Sequence, residues 1–310
     1  MIVTRNSEEV IGDCLDALAR MAPQLTPIVV DNASTDRTVE IARQRADLHG
    51  NVRVIANAEN RGFAAAVNQG VAGSDAGFVL LLNPDAKLLT AVDTLVDASK
   101  QFGLSAGKLV DAQGNAQAGF TIRRFPTPTA LIFELFGINR LWRQNPVNRQ
   151  YRCLDVNLDK AGEVEQPAGA FLMFRRDVWQ ALGGLDESFS PIWFEDVDFC
   201  QRAVAGGYGI QYVPGAKASH LGGHSIARVP GGCRAVYWCA SLIRYASKHF
   251  REPGYRAVCA AVVFSSLPRM VAGMILERSL APITAYSKIV RFAGLCLVLP
   301  RGRGVQKISS

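Results

Sequence analysis

The sequence lacks the short motifs that identify many nucleotide-binding enzymes and metalloenzymes. It has no G-x-G-x-x-G after its first strand signal and no G-x-x-x-x-G-K-[ST], which argues against a dinucleotide enzyme and a P-loop NTPase. It has no H-E-x-x-H, and its seven cysteines form neither a C-x-x-C pair nor a zinc-type spacing. Because the cysteine count is odd and no cleavable signal peptide precedes Met1, we expect a reduced, cytosolic compartment.

Acidic residues are scarce in the last quarter of the chain. Residues 228–310 contain 13 Lys and Arg but only 2 Asp and Glu, a net charge of +11. Residues 1–227 contain 21 basic and 25 acidic side chains, a net charge of −4. The chain therefore consists of an acidic-to-neutral body and a strongly basic tail, and its 49% apolar content excludes low-complexity disorder.

The tail also lacks a long uncharged run. Its apolar runs all fall short of the ~18–20 residues that a membrane-spanning helix needs. Short apolar runs interrupted by Lys and Arg predict amphipathic helices on an anionic membrane surface, and helices packed into a core with solvated basic faces are the alternative. The runs are AVCAAVVFSSLP, MVAGMIL and FAGLCLVLP.

Strand and helix patterns alternate regularly over the first hundred residues. Four apolar strand signals separated by helical patterns predict an α/β fold with a doubly wound, mostly parallel sheet. Asn6, with Glu9 three residues later, predicts the N-cap of the first helix. Ligands bind at the carboxyl ends of the strands in such sheets. Polar residues gather at these ends, in the segments 4–6, 31–36, 57–62 and 83–85.

The charge change marks the one domain boundary that the sequence predicts. We expect a catalytic domain over residues 1–227, with a nucleotide-binding half at 1–103 and an acceptor and catalytic half at 104–227. The basic, apolar tail occupies 228–310. The segment 119–164 has no clear secondary-structure pattern and is a candidate insertion on the acceptor side.

Two acidic features allow a chemical and a structural interpretation. Asp85 ends the buried strand LLLNPDA, where its carboxylate could hold a divalent cation, although NPDA is also a typical type I turn. Glu195, Asp196 and Asp198 open a predicted helix. They could stabilise the helix dipole, and Asp198 could pair with Arg202 four residues later.

Seven segments, in this order and spacing, resemble the inverting glycosyltransferases of family 2, in their rhamnosyltransferase-like branch. The resemblance covers roughly residues 1–225 and implies a GT-A fold, a dTDP- or UDP-sugar donor, and Mg²⁺ or Mn²⁺ as cofactor. The segments are IVTRNSEEVIGDCLDAL, VVDNASTDRTVEIA, NAENRGFAAAVNQG, LLLNPDA, GAFLMFRRDVWQALGGLDESF, WFEDVDFCQRA and HLGGHS.

The resemblance assigns donor binding to residues at the strand ends. It places Asp31 at the nucleobase with Thr4 and Asn6 beside it, and the stretch 60–68 beneath the nucleoside and diphosphate. The implied donor-binding residues are Thr4, Asn6, Asp31, Asn60, Arg61, Gly62, Asn68 and Asn83.

The resemblance also assigns a metal site. Asp85 occupies the position of the last acid of the family's D-x-D motif, and Asn83 replaces the first acid. The site therefore has one negative charge fewer. His220 is a candidate for the missing ligand, and His224 is a second candidate.

The acidic helix start is then the catalytic segment. Inverting transfer needs one base, and the resemblance makes Asp196 that base, with Glu195 binding acceptor hydroxyls and Trp193 stacking on a sugar. Asp198 and Arg202 keep the structural interpretation.

The expected function is transfer of L-rhamnose from dTDP-rhamnose onto a lipid-linked or cell-surface glycan, at the inner face of a bacterial plasma membrane. A galactofuranosyl or hexosyl donor is the alternative. A basic nucleic-acid-binding protein is the alternative from a different class. The sequence has no helix-turn-helix pattern and no interleaving of basic and aromatic residues, so we expect no nucleic acid partner.

Overall fold

The computed structural model describes residues 1–223 and 229–301. The chain forms two compact units, here called the sheet unit and the helical unit. The predicted boundary at 227/228 lies outside the described residues. The helical unit includes the segments 126–151 and 188–194, which lie within the predicted acceptor half. The sheet unit comprises Met1–Phe125, Arg152–Glu187 and Glu195–Arg228, and the helical unit comprises Pro126–Tyr151, Ser188–Phe194 and Val229–Ser310.

The first part of the sheet unit is a parallel sheet of three strands with the order β1-β2-β3. Thr4 pairs with Asp31, and Asp31 pairs with Ala56, so the polar strand ends lie side by side. The alternating pattern of apolar strands and amphipathic helices that the sequence predicts is confirmed here. The elements are β1 (Ile2–Thr4), α1 (Ile11–Met21), β2 (Ile28–Asn32), α2 (Thr38–His49), β3 (Arg53–Asn57) and α3 (Phe63–Ala72).

Most of the rest of the sheet unit is a six-stranded sheet of mixed direction, in the order β4-β10-β6-β11-β5, with β8 paired to β11. The strands β7 and β9 form a separate antiparallel pair. The central pair β6 and β11 is parallel, and β10 runs antiparallel to both of its neighbours. The elements are β4 (Phe78–Leu82), β5 (Ala86–Leu88), α4 (Asp93–Phe102), β6 (Gly103–Val110), β7 (Ile122–Arg123), β8 (Gly162–Glu163), β9 (Gln166–Pro167), β10 (Phe171–Arg175), α8 (Arg176–Leu182), α9 (Glu195–Ala205) and β11 (Gly209–His220).

The strand β4 is apolar throughout because helices cover both faces of the sheet. Leu80 and Leu82 pack into one buried cluster with residues of α1 and α4. Val79 and Leu81, which point to the opposite face, pack into a second cluster with residues of α3, α8 and α9. The backbone N–H of Leu82 donates to the carbonyl of Met1 (3.0 Å), which joins β4 to the chain just before β1.

The predicted N-cap at Asn6 is wrong. The helix α1 begins at Ile11, and Asn6 lies in the preceding turn with a φ of 50°. Its backbone N–H donates to Ser34 Oγ (2.8 Å), and its side-chain oxygen accepts from the N–H of Thr35 (2.8 Å). These bonds connect Asn6 to the loop after β2. An Asn side chain can bind backbone groups of a turn as well as those of a helix start, and here it binds the N–H of Thr35.

Within its described residues, the helical unit contains three short and three long helices. Thr127 caps α5 by accepting from the N–H of Ala130 (3.2 Å), and Pro128 occupies the first turn. The core of this unit includes Leu242, Tyr245 and Tyr255, all with no exposed surface. The helices are α5 (Pro128–Leu135), α6 (Ile138–Leu141), α7 (Pro146–Tyr151), α10 (Gly231–His249), α11 (Glu252–Glu277) and α12 (Ala281–Val298).

Two helices of the tail are longer than the uncharged runs indicate. By length and composition alone, α11 with 26 residues and α12 with 18 residues could cross a membrane. The short runs therefore do not exclude a membrane span. One face of α11 presents apolar side chains to solvent, namely Phe264, Leu267, Val271 and Ile275, which are between 48% and 70% exposed. Their spacing of three or four residues places them in one stripe.

Candidate functional site

A buried carboxylate and a buried imidazole meet where β4 and β11 end. Asp85 lies in the three-residue link between β4 and β5, and His220 is the last residue of β11, paired with Ala86. The Nε2 atom of His220 is 3.4 Å from Oδ1 of Asp85, and only 1% and 5% of the two side chains are exposed. The side-chain nitrogen of Asn83 is 3.5 Å from the same Nε2. The structure thus brings Asp85 and His220, the two predicted metal ligands, together with Asn83.

The imidazole of His220 is fixed from its other side. Its Nδ1 atom is 3.1 Å from Oε1 of Gln117, and the side-chain nitrogen of Gln117 donates to the backbone carbonyl of His220 (2.7 Å). The ring of Phe120 stacks on the imidazole with centroids 5.1 Å apart and an angle of 14°. The ring orientation therefore aims Nε2 at the carboxylate.

These residues fit a divalent cation. Ligand atoms that share one cation at about 2.1 Å lie roughly 3.0–3.5 Å apart, which agrees with the 3.4 Å between Asp85 and His220. A carboxylate is a typical ligand of Mg²⁺ and Mn²⁺, and an imidazole is a typical ligand of transition-metal ions. Among residues 1–223 and 229–301, no three His, Cys, Asp or Glu side chains form a metal-binding group. A cation here would need further ligands from substrate or water. His224 lies outside the described residues.

The predicted base is held close to the same strand ends. Asp196, in the first turn of α9, accepts from the backbone N–H of Gly169 (2.9 Å) and of Val197 (2.8 Å). The carbonyl of the next residue, Ala170, accepts from the N–H of Asn83 (3.1 Å). Two adjacent residues before β10 thus connect the Asp196 carboxylate to the segment that carries Asp85.

Gly169 permits this approach because it has no side chain. A Cβ atom at this position would lie 3.0 Å from the Cβ and 3.1 Å from Oδ2 of Asp196. Separations this short require the carboxylate to move.

Asp198 and Arg202 form the buried pair that the sequence allowed. Oδ2 of Asp198, whose side chain has no exposed surface, is 2.7 Å from Nε of Arg202. The guanidinium also donates to the carbonyls of Leu182 (2.6 Å) and Gly184 (2.8 Å). The pair connects α9 to the end of α8, so these two charges act in folding.

The residues before Asp196 adopt an unusual backbone. Trp193 and Phe194 have φ values of 81° and 70°, a region that costs about 1–3 kcal/mol for a bulky side chain. Within the helical unit the ring of Phe194 packs on Tyr245, with centroids 5.2 Å apart. Trp193 is partly exposed, and Glu195, in the first turn of α9, is 4% exposed. Of the two predicted acceptor residues, Trp193 lies in this strained turn and Glu195 directly follows it.

Asp31 is surrounded by protein hydrogen bonds at the end of β2. Its Oδ1 accepts from the hydroxyls of Thr4 (2.8 Å) and Ser34 (2.5 Å), and its Oδ2 accepts from the N–H of Ser34 (2.8 Å). Asp31 is 1% exposed and Thr4 is fully buried. The carboxylate thereby ties β1 to the loop after β2, where Asn6 also binds.

The other predicted donor residues lie around the start of α3. Asn60 and Arg61 are exposed, and the Asn60 side chain accepts from the N–H of Gly62 (3.1 Å). Asn32 donates to the carbonyl of Gly62 (3.0 Å). Asn68 lies within α3, facing the loop after α8.

Asn68 is fully engaged by that loop. Its amide nitrogen donates to the carbonyl of Leu185 (2.9 Å) and to Glu187 (2.9 Å), and its oxygen accepts from the N–H of Leu185 (3.0 Å). Asn68 therefore joins α3 to the loop after α8.

Two cysteines adjoin the site and are poor nucleophiles. Burial raises the pKa of Cys14 to about 12, and its thiol contacts the carbonyl of Asn83 (3.7 Å). Burial, with a contribution from the charge of Asp196, raises the pKa of Cys200 well above its usual value. Both thiols stay protonated at neutral pH.

Sequence reasoning missed Gln117, Gly169 and Asn32. Gly169 precedes a buried strand, where a glycine can indicate a close approach of the backbone. Asn32 follows Asp31 at a strand end and could have been included on that ground. Gln117 lies 103 positions from His220 and carries no local signal.

Two family models match the chain. Glycosyl transferase family 2 matches residues 1–103, and Glycosyltransferase like family 2 matches residues 126–237. Among curated proteins, the chain is similar to the rhamnosyltransferase WbbL of Escherichia coli K12, with 25% identity over 72% of this chain and 83% of WbbL. It is also 28% identical to the uncharacterized protein y4gI of Sinorhizobium fredii, over 62% of this chain but only 21% of y4gI.

Solved glycosyltransferases have the same fold. The mannosyltransferase PcManGT of Pyrobaculum calidifontis, in complex with GDP-Man and Mn²⁺, matches with a TM-score of 0.52 and 16% identity over 99% of this chain and 77% of its own. GalNAc-T7 with UDP, GalNAc and Mn²⁺ matches with a TM-score of 0.53 and 14% identity, over 80% and 50%. The expected GT-A fold is confirmed.

Proposed function

We propose that this chain, which belongs to the family 2 glycosyltransferases, transfers L-rhamnose from dTDP-rhamnose to a lipid-linked or cell-surface glycan with inversion at the anomeric carbon. The observation that carries the proposal is the grouping of Asp196, Asp85 and His220 at adjoining strand ends of the sheet unit. The similarity to the rhamnosyltransferase WbbL supports rhamnose as the sugar.

Asp196 is the general base of the proposed reaction. Its carboxylate accepts the proton of the acceptor hydroxyl while the hydroxyl oxygen bonds to the anomeric carbon. The bond from that carbon to the diphosphate breaks on the opposite face, and the electron pair leaves with the dTDP oxygen. The N–H groups of Gly169 and Val197 hold the carboxylate in place (2.9 and 2.8 Å) and leave its remaining lone pairs for the acceptor.

Asp85 and His220 would hold Mg²⁺ or Mn²⁺, with Asn83 beside them. When bound, the cation neutralises the negative charge of the leaving diphosphate. The protein contributes a single carboxylate charge to the site, and the diphosphate of the donor would supply the remaining negative charge. Burial of both side chains strengthens their interaction with a cation, since little water screens it.

The donor would lie across the strand ends that carry Thr4 and Asn6, next to the exposed Asn60 and Arg61 and the buried Gly62. Arg61 is suited to a phosphate, and the N–H groups at the start of α3 attract an anion. Asp31 and Asn68 are engaged with protein partners, so they would act by holding the loops that shape this surface.

Trp193 and Glu195 are proposed to bind the acceptor. A partly exposed indole offers an apolar face to a sugar ring, and a carboxylate one residue before the base can accept hydrogen bonds from sugar hydroxyls. Trp193 and Glu195 directly precede Asp196 in the chain, which motivates the assignment.

The helical unit is proposed to attach the enzyme to the cytoplasmic face of an anionic bacterial membrane. The exposed apolar stripe on α11 would enter the lipid, and exposed cations such as Arg278, Lys288 and Arg291 would bind the headgroups. Charge complementarity favours anionic lipid over a neutral partner. This location would give access to a lipid-linked acceptor.

A transfer assay tests the proposal. The full chain is incubated with dTDP-rhamnose, Mn²⁺ and lipid-linked glycan acceptors, and the release of dTDP is measured with the anomeric configuration of the product. We expect dTDP release that depends on acceptor and an inverted glycosidic bond. Transfer only from UDP-sugars would replace rhamnose by a hexosyl or galactofuranosyl donor, and retention of configuration would contradict the role of Asp196.

A further inference from the structure

The contact between Gln117 and His220 fixes more than the position of the ring. Gln117 lies in the loop after β6, and its backbone N–H donates to the carbonyl of Leu109 (2.9 Å), which places it beside the end of β11. Its side-chain nitrogen faces the backbone carbonyl of His220 at 2.7 Å. A carbonyl can only accept, so the amide group of Gln117 has one possible orientation.

That orientation determines which nitrogen of the imidazole carries the proton. With its nitrogen committed to the carbonyl, Gln117 presents Oε1 to Nδ1 of His220 at 3.1 Å. Oε1 is an acceptor, so Nδ1 must be the donor. In the neutral ring the lone pair is then on Nε2, which lies 3.4 Å from the Asp85 carboxylate.

We infer that Gln117 is a positioning residue that holds His220 in the Nδ1–H tautomer, with the Nε2 lone pair ready to bind a divalent cation together with Asp85. The inference rests on the proposed metal-dependent function and assigns a residue that no motif includes. A lone pair facing a carboxylate is favourable when a cation lies between them. Substitution of a residue that hydrogen-bonds to a metal-binding histidine typically lowers the metal affinity by about 10–100-fold.

The test measures Mn²⁺ binding to the full chain by the paramagnetic resonance of free Mn²⁺. Gln117→Met removes both side-chain bonds and should raise the Kd for Mn²⁺ about 10–100-fold. Gln117→Glu keeps an acceptor for Nδ1–H and should bind Mn²⁺ more tightly than Gln117→Met. Gln113→Met, an exposed glutamine of the same loop, is the matched control and should leave the Kd unchanged.

The tautomer is read directly, without metal, from the ¹⁵N chemical shifts of the imidazole, followed as the pH is raised until they no longer change and the ring is neutral. The chain has four histidines, so the spectrum of His220→Ala identifies the signal. We expect the Nδ1–H form in wild type and Gln117→Glu, and a shift toward Nε2–H in Gln117→Met. In a His220→Ala background, Gln117→Met should have no further effect on Mn²⁺ binding.

An unchanged tautomer and Kd in Gln117→Met would overturn the inference and leave the metal centre intact. Equal losses of Mn²⁺ affinity in Gln117→Glu and Gln117→Met would assign the effect to the lost bond with the backbone carbonyl of His220, and would also overturn the inference. If wild type binds no Mn²⁺ at millimolar concentration, the metal centre itself is refuted, a result distinct from a failure of Gln117 alone.

Discussion

The strand ends of the sheet unit bury and pair charged and polar side chains, whereas α11 of the helical unit exposes a stripe of large apolar side chains. Asp31, Asp198 and His220 are at most 3% exposed, and each makes specific hydrogen bonds or ion pairs. On α11, by contrast, Phe264 and Ile275 are 65% and 70% exposed. Buried polar groups require fixed geometry, and exposed apolar groups gain free energy only when another surface covers them.

From this contrast we propose that the two units have different functions. The strand ends of the sheet unit provide a rigid set of oxygen and nitrogen atoms, which suits chemistry on a charged donor. The helical unit provides a basic, apolar surface with few acidic residues, which suits attachment to anionic lipid. If this proposal is correct, substitutions at the strand ends of the sheet unit should alter turnover, and substitutions on the α11 stripe should alter membrane binding.

The largest expected effect is at the base. Asp196→Asn keeps the shape of the side chain but cannot accept the proton, so kcat should fall about 10²–10⁴-fold, equivalent to about 3–5 kcal/mol of barrier. Mn²⁺ and donor binding, measured by calorimetry, should be unchanged. Asp47→Asn, on the exposed face of α2, is the control. Near wild-type turnover in Asp196→Asn, with Glu195→Gln inactive, would reverse the two roles.

Removal of the metal should have the second-largest effect on turnover. Excess EDTA should abolish turnover, and Mn²⁺ should restore it. His220→Ala should raise the Mn²⁺ concentration for half-maximal activity, because it deletes a predicted ligand 3.4 Å from the Asp85 carboxylate. Full activity in EDTA would remove the cation from the account, and an unchanged Mn²⁺ titration of His220→Ala would return this histidine to a structural role.

The buried ion pair should affect stability and not chemistry. Asp198→Asn leaves the guanidinium of Arg202 without its charged partner and should destabilise the sheet unit by about 3 kcal/mol. At a temperature where the variant stays folded, kcat should stay near the wild-type value. The measurements are thermal unfolding by circular dichroism and a turnover assay. A folded variant that is inactive would place Asp198 in the reaction.

Membrane attachment should respond to the α11 stripe. Phe264→Ser combined with Ile275→Ser should lower partition into phosphatidylglycerol vesicles at least about tenfold, since burial of one such side chain contributes about 1.5–3 kcal/mol. Leu48→Ser, at a 71% exposed leucine of α2, is the matched control. High salt should release the wild type only in part. Unchanged sedimentation of the double variant would make the stripe irrelevant to membrane binding.

The smallest effect is expected at the acceptor. Glu195→Gln keeps hydrogen-bonding capacity but removes a charge, so the KM for the acceptor should rise a few-fold, about 1 kcal/mol, with kcat nearly constant. Steady-state kinetics with varied acceptor measures the change. An unaltered KM would place Glu195 outside the acceptor site.

The sequence predicts those parts of the molecule in which neighbouring residues determine structure. The periodic patterns of β1 to β4 and the helix α9 are local and were predicted. The segment 126–151 was not predicted, although Thr127 followed by Pro128 is a start signal for α5. Asn6 was assigned as a helix cap because its tertiary partner, Ser34, is not visible in a local pattern.

The candidate site residues differ in the same way, according to whether a local pattern marks them. Asp85 and Asp196 adjoin recognisable strand and helix starts, so motifs reveal them. Gln117 and Gly169 act through contacts with residues distant in sequence, and only the sheet register brings them to His220 and Asp196. Their partners cannot be inferred from spacing.

The most direct test of the central claim, a metal-assisted donor site at the strand ends of the sheet unit, is calorimetric titration of dTDP-rhamnose into the full chain with Mn²⁺ or with EDTA. The matched variant is Asp85→Ala. We predict saturable binding with Mn²⁺ that is lost or strongly weakened both in EDTA and in Asp85→Ala. Equal affinity under all three conditions, or no binding of dTDP- or UDP-sugars under any, would contradict the account.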